Sequence, residues 1–305
     1  MTEPIIYVSD LRKSYGEVKA VDGVSFQVFP GEIFGLLGPN GAGKTTTLES
    51  LEGLRKPDSG TIRIAGVEPG SDTRTLRNVI GVQLQSAGMP ESITPDEAMR
   101  LFCAYHGVEP RYDLLERLGL AGKRKAQFHQ LSTGQQRRLA LALAVAHQPP
   151  VLFLDEPTAG LDVPSRMELH SMIQELKQNG TTIVLATHDM AEAEEMADRV
   201  AILLEGRIVA SGTPMEITAT GAGLTKISVR TRASVLMAGQ NGIPAVSQSH
   251  IEEPYKVYFS TDVASTVASI ITTIEEKSDE LIDLRVERPS LEDRFLELTA
   301  NGQRR

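Results

Sequence analysis

Short apolar runs alternate with stretches of helical periodicity along the first two thirds of the chain. Four of these runs are apolar at nearly every position, which is typical of strands in a parallel sheet that is buried on both faces. Helical patterns lie between them at roughly 43–53, 132–147 and 163–179. The alternation predicts an α/β fold with a doubly wound parallel sheet. The four runs read GEIFGLLG, VIGVQLQ, VLFLDEP and TTIVLAT.

Two other patterns flank this core. The segments before residue 31 and after residue 60 alternate apolar and polar positions, which predicts a separate antiparallel sheet. Between residues 86 and 130 the strand pattern stops and helical patterns replace it. A helix is predicted to begin after Thr94, because a threonine cap is followed by Pro95 at the first helical position and Glu97 at the third. We interpret 86–130 as an inserted helical subdomain.

The pattern changes again after residue 218. The glycine-rich segment TATGAGLTK forms a joint near residue 220. We therefore predict a first domain over 1–218, with its helical subdomain at about 86–130, and a small α+β domain over 222–300. The second domain is predicted to run strand, strand, helix, strand, helix, in the segments KISVRT, YKVYFST, TDVASTVASIITTIEEK, ELIDLRVER and SLEDRFLELTA.

Composition and charge exclude several classes of protein. The 305 residues are 41% hydrophobic and 23% charged, as in a globular protein, and the net charge of -9 argues against nucleic acid as a partner. The longest apolar run, Leu139–Ala146, is far shorter than the ~20 residues of a membrane-spanning helix, and the N-terminus lacks the pattern of a secretion signal. A single cysteine, Cys103, is interpreted as a buried apolar residue in a reducing cytosol.

The most specific local motif is a phosphate-binding loop. The segment GPNGAGKTT matches G-x-x-x-x-G-K-[ST], and it follows an apolar strand and precedes a helix, as the motif requires. Its glycines let backbone N–H groups surround a phosphate, while the lysine reaches the β and γ phosphates and the next threonine offers a hydroxyl to Mg²⁺. The predicted nucleotide contacts are Gly38, Pro39, Asn40, Gly41, Ala42, Gly43, Lys44, Thr45 and Thr46.

Two strand ends add polar side chains next to this loop. Asp155 and Glu156 close the strand in VLFLDEP, and because adjacent strand residues point to opposite sides, the two carboxylates take different roles. We assign Asp155 to the Mg²⁺ shell and Glu156 to orienting or deprotonating the attacking water. His188 ends the strand in TTIVLATHD, where an imidazole can donate to the γ-phosphate or hold the catalytic water.

Three further features each allow two interpretations. Gln85, at the start of the helical insertion, is placed to touch Mg²⁺ or water, but an ordinary loop residue fits the same position. Tyr15 can stack on adenine, although an isolated tyrosine is more often half-buried packing. The basic run 123–125 fits a contact to a partner or to lipid headgroups, and we interpret it as a solvated face of the helical subdomain.

A second anion site is predicted at LSTGQQRRLALALAVAH, residues 131–147. A Ser-Thr-Gly sequence that runs directly into a helix is the profile of an anion-binding helix N-terminus. The order of phosphate loop, Gln85, LSTGQ, Asp155-Glu156, AGLD and His188 resembles the ATP-binding cassette (ABC) family over residues 5 to about 218. The resemblance implies a P-loop NTPase core with a RecA-like parallel sheet, an antiparallel β subdomain and a helical insertion, together with ATP hydrolysis that uses ATP and Mg²⁺.

The resemblance also implies a head-to-tail dimer. Ser132, Gly134 and Gln135 would bind the γ-phosphate of nucleotide held by a second copy of the chain, so ATP closes the dimer and hydrolysis reopens it. Thr133 departs from the family pattern, which most often has glycine there, and its β-branched side chain implies slow turnover. The implied roles are adenine stacking for Tyr15, lid for Gln85, Mg²⁺ for Asp155, general base for Glu156, dimer contact for Asp162 and switch for His188.

The C-terminal segment RPSLEDRFLELTA, Arg288–Ala300, resembles the ending of ATPase subunits that serve ABC-2 type exporters, including the daunorubicin/doxorubicin resistance type. An amphipathic helix that simply packs Leu291, Phe295 and Leu298 describes the same residues. The resemblance implies an ATPase that powers export of drugs or other hydrophobic compounds through a separate ABC-2 membrane permease. We expect the permease to dock near Gln85–Tyr105.

Three alternatives remain open at this point. An importer motor differs from the exporter prediction only through the C-terminal resemblance. An ABC ATPase that acts on ribosomes or DNA is disfavoured by the acidic charge, and a nucleotide-dependent regulator that barely hydrolyses is disfavoured by the complete set of Glu156, Asp162 and His188. For the exporter, the expected location is cytoplasmic and peripheral, on the inner face of the cell membrane through the permease.

Overall fold

The chain folds into two compact units, Met1–Thr213 and Pro214–Arg305. Two sheets and seven α-helices are formed by the described part of the first unit, and one sheet and three α-helices by the described part of the second. The computed structural model describes residues 3–84, 88–219, 224–237, 242–287 and 289–302.

A six-stranded sheet lies at the centre of the first unit. In the order of the sheet its strands are β5 (Ile80–Gln83), β6 (Val151–Asp155), β7 (Thr182–Thr187), β3 (Ile33–Leu37), β8 (Arg199–Leu204) and β9 (Arg207–Gly212). The first five are parallel and β9 is an antiparallel edge strand. Every residue of β3, β6 and β7 is buried, which explains why these strands have continuous apolar runs.

Helices connect the strands of this sheet, and the three helical patterns predicted from the sequence are confirmed to within a few residues. None of the helices in the described ranges is long and apolar enough to cross a bilayer. The helices of the first unit are α1 (Lys44–Leu51), α2 (Thr73–Val79), α3 (Pro95–His106), α4 (Tyr112–Arg117), α5 (Thr133–Val145), α6 (Val163–Gln178) and α7 (Met190–Met196).

A three-stranded antiparallel sheet, in the order β2 (Val18–Val28), β1 (Ile6–Tyr15) and β4 (Ser59–Ile64), packs against the central sheet. One apolar cluster contains buried residues from both sheets and from α1. Within it the rings of Phe26 and Phe34 stack with centroids 5.1 Å apart. The predicted α/β class with an antiparallel β subdomain and a helical insertion is therefore confirmed.

The helical insertion is held by a buried acid. Thr94 and Glu97 form the predicted capping box at the start of α3. Asp96, which is 5% exposed, accepts hydrogen bonds from Arg124 at 2.6 and 3.1 Å and from Lys125 at 3.2 Å. The interpretation of residues 123–125 as a solvated face fits Lys125, whose side chain is 83% exposed, whereas Arg124 is 31% exposed and is bound to the buried carboxylate.

The second unit contains a four-stranded antiparallel sheet in the order β11 (Val246–Glu252), β12 (Tyr255–Ser260), β10 (Thr225–Thr231) and β13 (Leu281–Glu287). The predicted series of strand, strand, helix, strand, helix lacks β11, and helix α8 precedes residue 222, where the second domain was predicted to begin. Six of the seven residues of β11 are exposed, so this edge strand has no apolar alternation to reveal it. The elements are α8 (Pro214–Ala219), β10 (Thr225–Thr231), β11 (Val246–Glu252), β12 (Tyr255–Ser260), α9 (Val263–Glu276), β13 (Leu281–Glu287) and α10 (Leu291–Gly302).

Candidate functional site

The phosphate loop lies between β3 and α1, and its backbone requires glycine. Gly43 has a left-handed φ of 102°, and a Cβ atom there would lie 2.2 Å from the carbonyl oxygen of Ala20. The helix that begins at Lys44 has no side-chain cap, so its first backbone N–H groups are available to an anion. The local geometry is therefore that of a phosphate-binding loop.

Lys44 is buried inside this loop, with 5% of its surface exposed. Its ammonium group donates to the carbonyl oxygens of Gly38 at 2.8 Å and Pro39 at 3.3 Å, and it lies 3.6 Å from Oε1 of Glu156. Burial lowers the pKa of Lys44, and the carboxylates of Glu156 and Asp155 act in the opposite direction. The two carboxylates therefore offset part of the effect of burial on Lys44.

Thr45 and Asp155 form a pair of oxygen donors beside the lysine. The Thr45 hydroxyl donates to Oδ2 of Asp155 at 3.2 Å, while Oδ1 of Asp155 is buried and has no hydrogen-bond partner among the described residues. Burial raises the pKa of Asp155, since it disfavours the charged carboxylate. A hard divalent cation with oxygen ligands fits this arrangement, because it would satisfy the orphaned oxygen and offset the burial of the charge.

Glu156 and His188 are in direct contact across the ends of β6 and β7. The Nδ1 atom of His188 lies 2.6 Å from Oε2 of Glu156, and Glu156 is 7% exposed whereas the His188 side chain is 52% exposed. Glu156 has a left-handed φ of 49°, so the alternation of strand side chains ends at Asp155. Both carboxylates act electrostatically on Lys44, since each opposes the lowering of its pKa by burial.

The starts of α5 and α6 lie side by side. Ser132 caps α5 in a capping box with Gln135, and Asp162 caps α6 by accepting from the backbone N–H of Ser165 at 3.0 Å. A Cβ atom on Gly134 would lie 3.0 Å from Oγ of Ser165, which shows how closely the two helix starts approach. Among the described residues, no hydrogen bond or ion pair connects Ser132, Gly134 or Asp162 to the phosphate loop.

The structure places two of the remaining predicted residues, Tyr15 and Thr133, outside this cluster. Gln85 lies outside the described residues. Tyr15 is at the end of β1, 41% exposed, and the Arg55 guanidinium lies 5.2 Å from the centre of its ring. Thr133 is the first residue of α5 and is exposed. Lys44 and its neighbours therefore form one cluster at the ends of β3, β6 and β7, and the start of α5 is a separate site.

A groove of about 270 Å³, hereafter the insertion groove, lies between β5 and the helices α3 and α5. Its rim includes large exposed apolar side chains, among them Leu54 at 62% and Tyr105 at 63% exposure. Two polar side chains of its lining, Glu52 and Gln83, are almost completely buried and each has polar atoms without a partner among the described residues. Burial raises the pKa of Glu52 to about 8.

Glu52 and Gln83 were not identified from the sequence as candidate functional residues. The sequence contains one indication of a buried polar group, because Gln83 is a polar residue inside the apolar run VIGVQLQ. Nothing in the local sequence around Glu52 distinguishes it from an exposed residue at a helix end. The same holds for His147, whose pKa burial lowers to about 4 and whose ring stacks on His106 at 3.8 Å.

Three relatives match along nearly the whole chain. The Daunorubicin resistance ATP-binding protein DrrA3 of Streptomyces coeruleorubidus is 33% identical over 100% of this chain and 98% of its own length. The Nod factor export ATP-binding protein I of Paraburkholderia xenovorans is 38% identical over 98% of both chains. The Linearmycin resistance ATP-binding protein LnrL of Bacillus subtilis is 30% identical over 98% of this chain and 100% of its own.

Solved structures give the same assignment over about 70% of the chain. An ATP-binding subunit of an ABC transporter superposes with a TM-score of 0.67 at 30% identity, covering 72% of this chain and 93% of that one. A dimeric ATP-binding cassette bound to ADP and Pi has a TM-score of 0.63 at 27% identity, covering 68% and 98%. The ABC transporter family model matches residues 21–159. With a nucleotide-binding loop, a paired carboxylate and histidine, and full-length relatives of this kind, the chain belongs to the ABC transporter family as one of its ATPases.

Proposed function

We propose that this protein is the ATP-hydrolysing subunit of an ABC-2 type exporter and that it powers a separate membrane permease. The observation that carries the proposal is the cluster of Lys44, Thr45, Asp155, Glu156 and His188 at the ends of three parallel strands. The whole-chain relatives are named for drug resistance or for export, and their similarity includes the second unit. An importer motor and an ATPase acting on ribosomes or DNA have no comparable support.

Hydrolysis depends on how Glu156 is held. Its carboxylate is fixed between the Lys44 ammonium at 3.6 Å and the His188 imidazole at 2.6 Å, so it is oriented before water arrives. Glu156 accepts a proton from the attacking water, and His188 keeps the carboxylate turned toward that water. Lys44 compensates the negative charge that develops on the β and γ phosphates.

Mg²⁺ would be held by Thr45 and Asp155, with Gln85 as a further ligand, and it would neutralise charge on the phosphate oxygens. The orphaned Oδ1 of Asp155 supports this assignment. Tyr15 would stack on adenine, and Gly38–Thr46 would surround the phosphates with backbone N–H groups. Each of these residues acts in binding and orientation, so their loss would weaken nucleotide affinity more than the chemical step.

The start of α5 supplies the rest of the site to a second copy of the chain. Ser132, Gly134 and Gln135 have no link to the phosphate loop of their own chain among the described residues, and they present a helix N-terminus to an anion. In a head-to-tail dimer they would contact the γ-phosphate held by the partner copy, while Asp162 contacts the partner at the dimer interface. ATP closes this dimer, because the contacts require the γ-phosphate.

The insertion groove is the docking site for a cytoplasmic helix of the permease. Its rim exposes large apolar side chains, and its lining includes Met89, Phe102 and Tyr105 of the predicted docking region 85–105. A polar partner group could satisfy Glu52 and Gln83 on the groove lining. This contact would keep the ATPase on the inner face of the cell membrane.

The test is a pull-down of tagged Glu156→Gln protein with ATP from its native cells. The variant is expected to bind ATP, to lose hydrolysis by roughly 100-fold or more, and to accumulate as a closed dimer, because the general base is removed and the binding groups remain. A multi-span membrane protein without its own cassette is expected to accompany it. The matched control is the Glu156→Gln variant that also carries Leu54→Asp and Tyr105→Asp at the groove rim. This triple variant should no longer bind the permease but should still form the closed dimer.

Two results would contradict the proposal. Ribosomal subunits or DNA-bound proteins in the pull-down would replace the transporter function and leave only the ATPase core. Hydrolysis by Glu156→Gln at the native rate would remove the assignment of the general base.

A further inference from the structure

A buried carboxylate outside the phosphate site joins three separate segments of the first unit. Glu192 lies in α7, the helix that follows His188, and is 3% exposed. Its Oε1 atom accepts a hydrogen bond from the Thr158 hydroxyl at 2.7 Å and lies 3.2 Å from Nε2 of His170. Thr158 belongs to the turn after Glu156, and His170 belongs to α6.

Hydrogen bonds at Oε1 offset the burial of this charge, whereas Oε2 is buried without a hydrogen-bond partner among the described residues. Burial acts to raise the pKa of Glu192, but the hydrogen bonds from His170 and Thr158 outweigh it and lower the pKa. The group is therefore a carboxylate at neutral pH, and a buried carboxylate with two donors is a strong and directional connection. Replacing it by an apolar group would leave both donors without their acceptor.

The connection closes a ring around the predicted general base. Thr158 follows Glu156 by two residues, and His188 precedes Glu192 by four residues. The ring is completed at the other end by the 2.6 Å contact between His188 and Glu156. Because Glu156 has a left-handed φ, its turn needs support from contacts outside the strand, and the Thr158 bond supplies one.

The same carboxylate reaches toward the predicted dimer interface. His170 is on α6, the helix that Asp162 caps, and α6 has a second contact to α7 in the 3.6 Å ion pair of Arg166 with Asp189. A displacement of the Asp162 cap therefore moves α6, and α6 is connected through His170 and Glu192 to α7, the helix that follows His188. Coupling of this kind requires packed elements in contact, which these distances show.

We propose that Glu192 is a positioning residue for ATP hydrolysis: it sets the separation of His188 and Glu156, and it passes movement of the Asp162 segment to His188. The proposal rests on the proposed function, because it takes Glu156 as the general base. Glu192 itself touches neither nucleotide nor water in this scheme. It acts on the orientation of Glu156 and so on the chemical step.

The experiment compares steady-state ATP hydrolysis by the full-length chain and its variants. Glu192→Ala is expected to lower kcat at least tenfold while KM for ATP stays within about twofold, because the nucleotide contacts are unchanged. Glu192→Gln retains an oxygen for Thr158 and is expected to recover kcat to within about threefold of the native chain. Glu195→Gln is the matched control, since Glu195 is on the same helix, is 73% exposed and lies 3.7 Å from the other nitrogen of His170. Its kcat should be native.

Thr158→Val removes the same hydrogen bond from the other side without changing the shape of the site. It is expected to lower kcat in the same direction, and the double variant with Glu192→Ala should be no slower than Glu192→Ala alone. Thr158→Val also tests the role of Glu192 if Glu192→Ala fails to fold. Native kcat in Thr158→Val, or equal losses in kcat and ATP affinity, would overturn the proposal.

Glu156→Gln, measured alongside, separates the two proposals. If it is inactive while Glu192→Ala and Thr158→Val are native, only the role of Glu192 is wrong. If Glu156→Gln hydrolyses ATP at the native rate, the assignment of the base is wrong.

Discussion

At the scale of single residues, Glu52 is an acid that the fold forces to keep its proton. Its pKa rises to about 8 because burial disfavours the charged form, and the charges of Asp155 and Glu49 add to the effect. In the unfolded chain the same group ionises near its ordinary value of 4.5. The folded state therefore binds one more proton than the unfolded state between these two values.

We predict that the free energy of unfolding of the native chain falls relative to that of Glu52→Gln as pH rises. The contribution of neutral Glu52 is fully present below pH 4.5 and is lost as pH rises toward 8, whereas glutamine has no proton to lose. Urea unfolding of both proteins at pH 5, 6.5 and 8 measures the difference. A difference that is constant across these three values would show that Glu52 is solvated and ionised.

Residues differ in how much of their role the sequence reveals. The phosphate loop with Lys44 and Thr45 follows from a motif with fixed spacing, so the sequence predicts where this loop lies. The neutral state of Glu52 and the ring through Glu192 depend on contacts between segments far apart in the chain. A local sequence pattern does not reveal a contact between distant segments. The neutral state of Glu52 and the ring through Glu192 were therefore not predicted.

At the scale of elements, the helical insertion depends on Asp96. This carboxylate joins the first turn of α3 to residues 124 and 125, and the guanidinium of Arg124 also stacks 4.0 Å from the centre of the Tyr112 ring. The insertion thus has an ionic connection in addition to its apolar contacts.

Asp96→Asn is predicted to destabilise the chain by about 1–3 kcal/mol, because it removes a nearly buried charge from two cationic partners. Urea unfolding measures the loss. Asp113→Asn is the matched control, since Asp113 forms an exposed pair with Arg111 and its replacement should change stability by less than about 0.5 kcal/mol. Equal effects of the two substitutions would show that the Asp96 contacts are no stronger than an exposed ion pair.

The start of α5 yields a second prediction at this scale. Thr133 occupies the first helical position, between the cap Ser132 and the buried Gly134. Thr133→Gly is predicted to raise kcat about two- to fivefold, which corresponds to ~0.4–1 kcal/mol of activation free energy. The melting temperature should fall slightly, because glycine is a poor helix former. Thr133→Ala also removes the β-branched side chain but does not add the backbone freedom of glycine, so it shows which of the two changes affects kcat. An unchanged kcat in both variants would mean that Thr133 does not slow turnover.

Elements with a strong pattern of their own were predicted well. The capping box of Thr94 and Glu97, the buried strands and the helices after the phosphate loop all follow from nearest-neighbour chemistry. Strand β11 was not predicted, because it is an exposed edge whose residues Ser247 to His250 are polar. It is a strand because β12 offers a partner, which is a property of the sheet and not of the segment.

At the scale of the whole molecule, the proposed dimer builds each site from two chains. This arrangement predicts complementation between two inactive variants. Lys44→Ala removes the ammonium group that would bind the β and γ phosphates. Ser132→Asp keeps a helix cap but places a negative charge where the γ-phosphate would bind. In a mixed dimer one site would contain both defects and the other would be intact.

Mixing the two variants is therefore predicted to restore up to about one quarter of native ATPase activity, since about half of random dimers are mixed and each has one intact site. Ser132→Asn, which caps the helix without a charge, is the control and should be active alone. If mixing restores nothing while each variant still forms dimers, the start of α5 serves its own chain.

The order of strands in the central sheet has a consequence for how the protein is made. β3 leads into the phosphate loop, and both of its neighbours, β7 and β8, lie about 150 residues or more further along the chain. A chain emerging from the ribosome therefore has β3 without a partner until residues 182–204 have been synthesised. We therefore expect nucleotide binding to be acquired late in synthesis, when almost the entire first unit has been made.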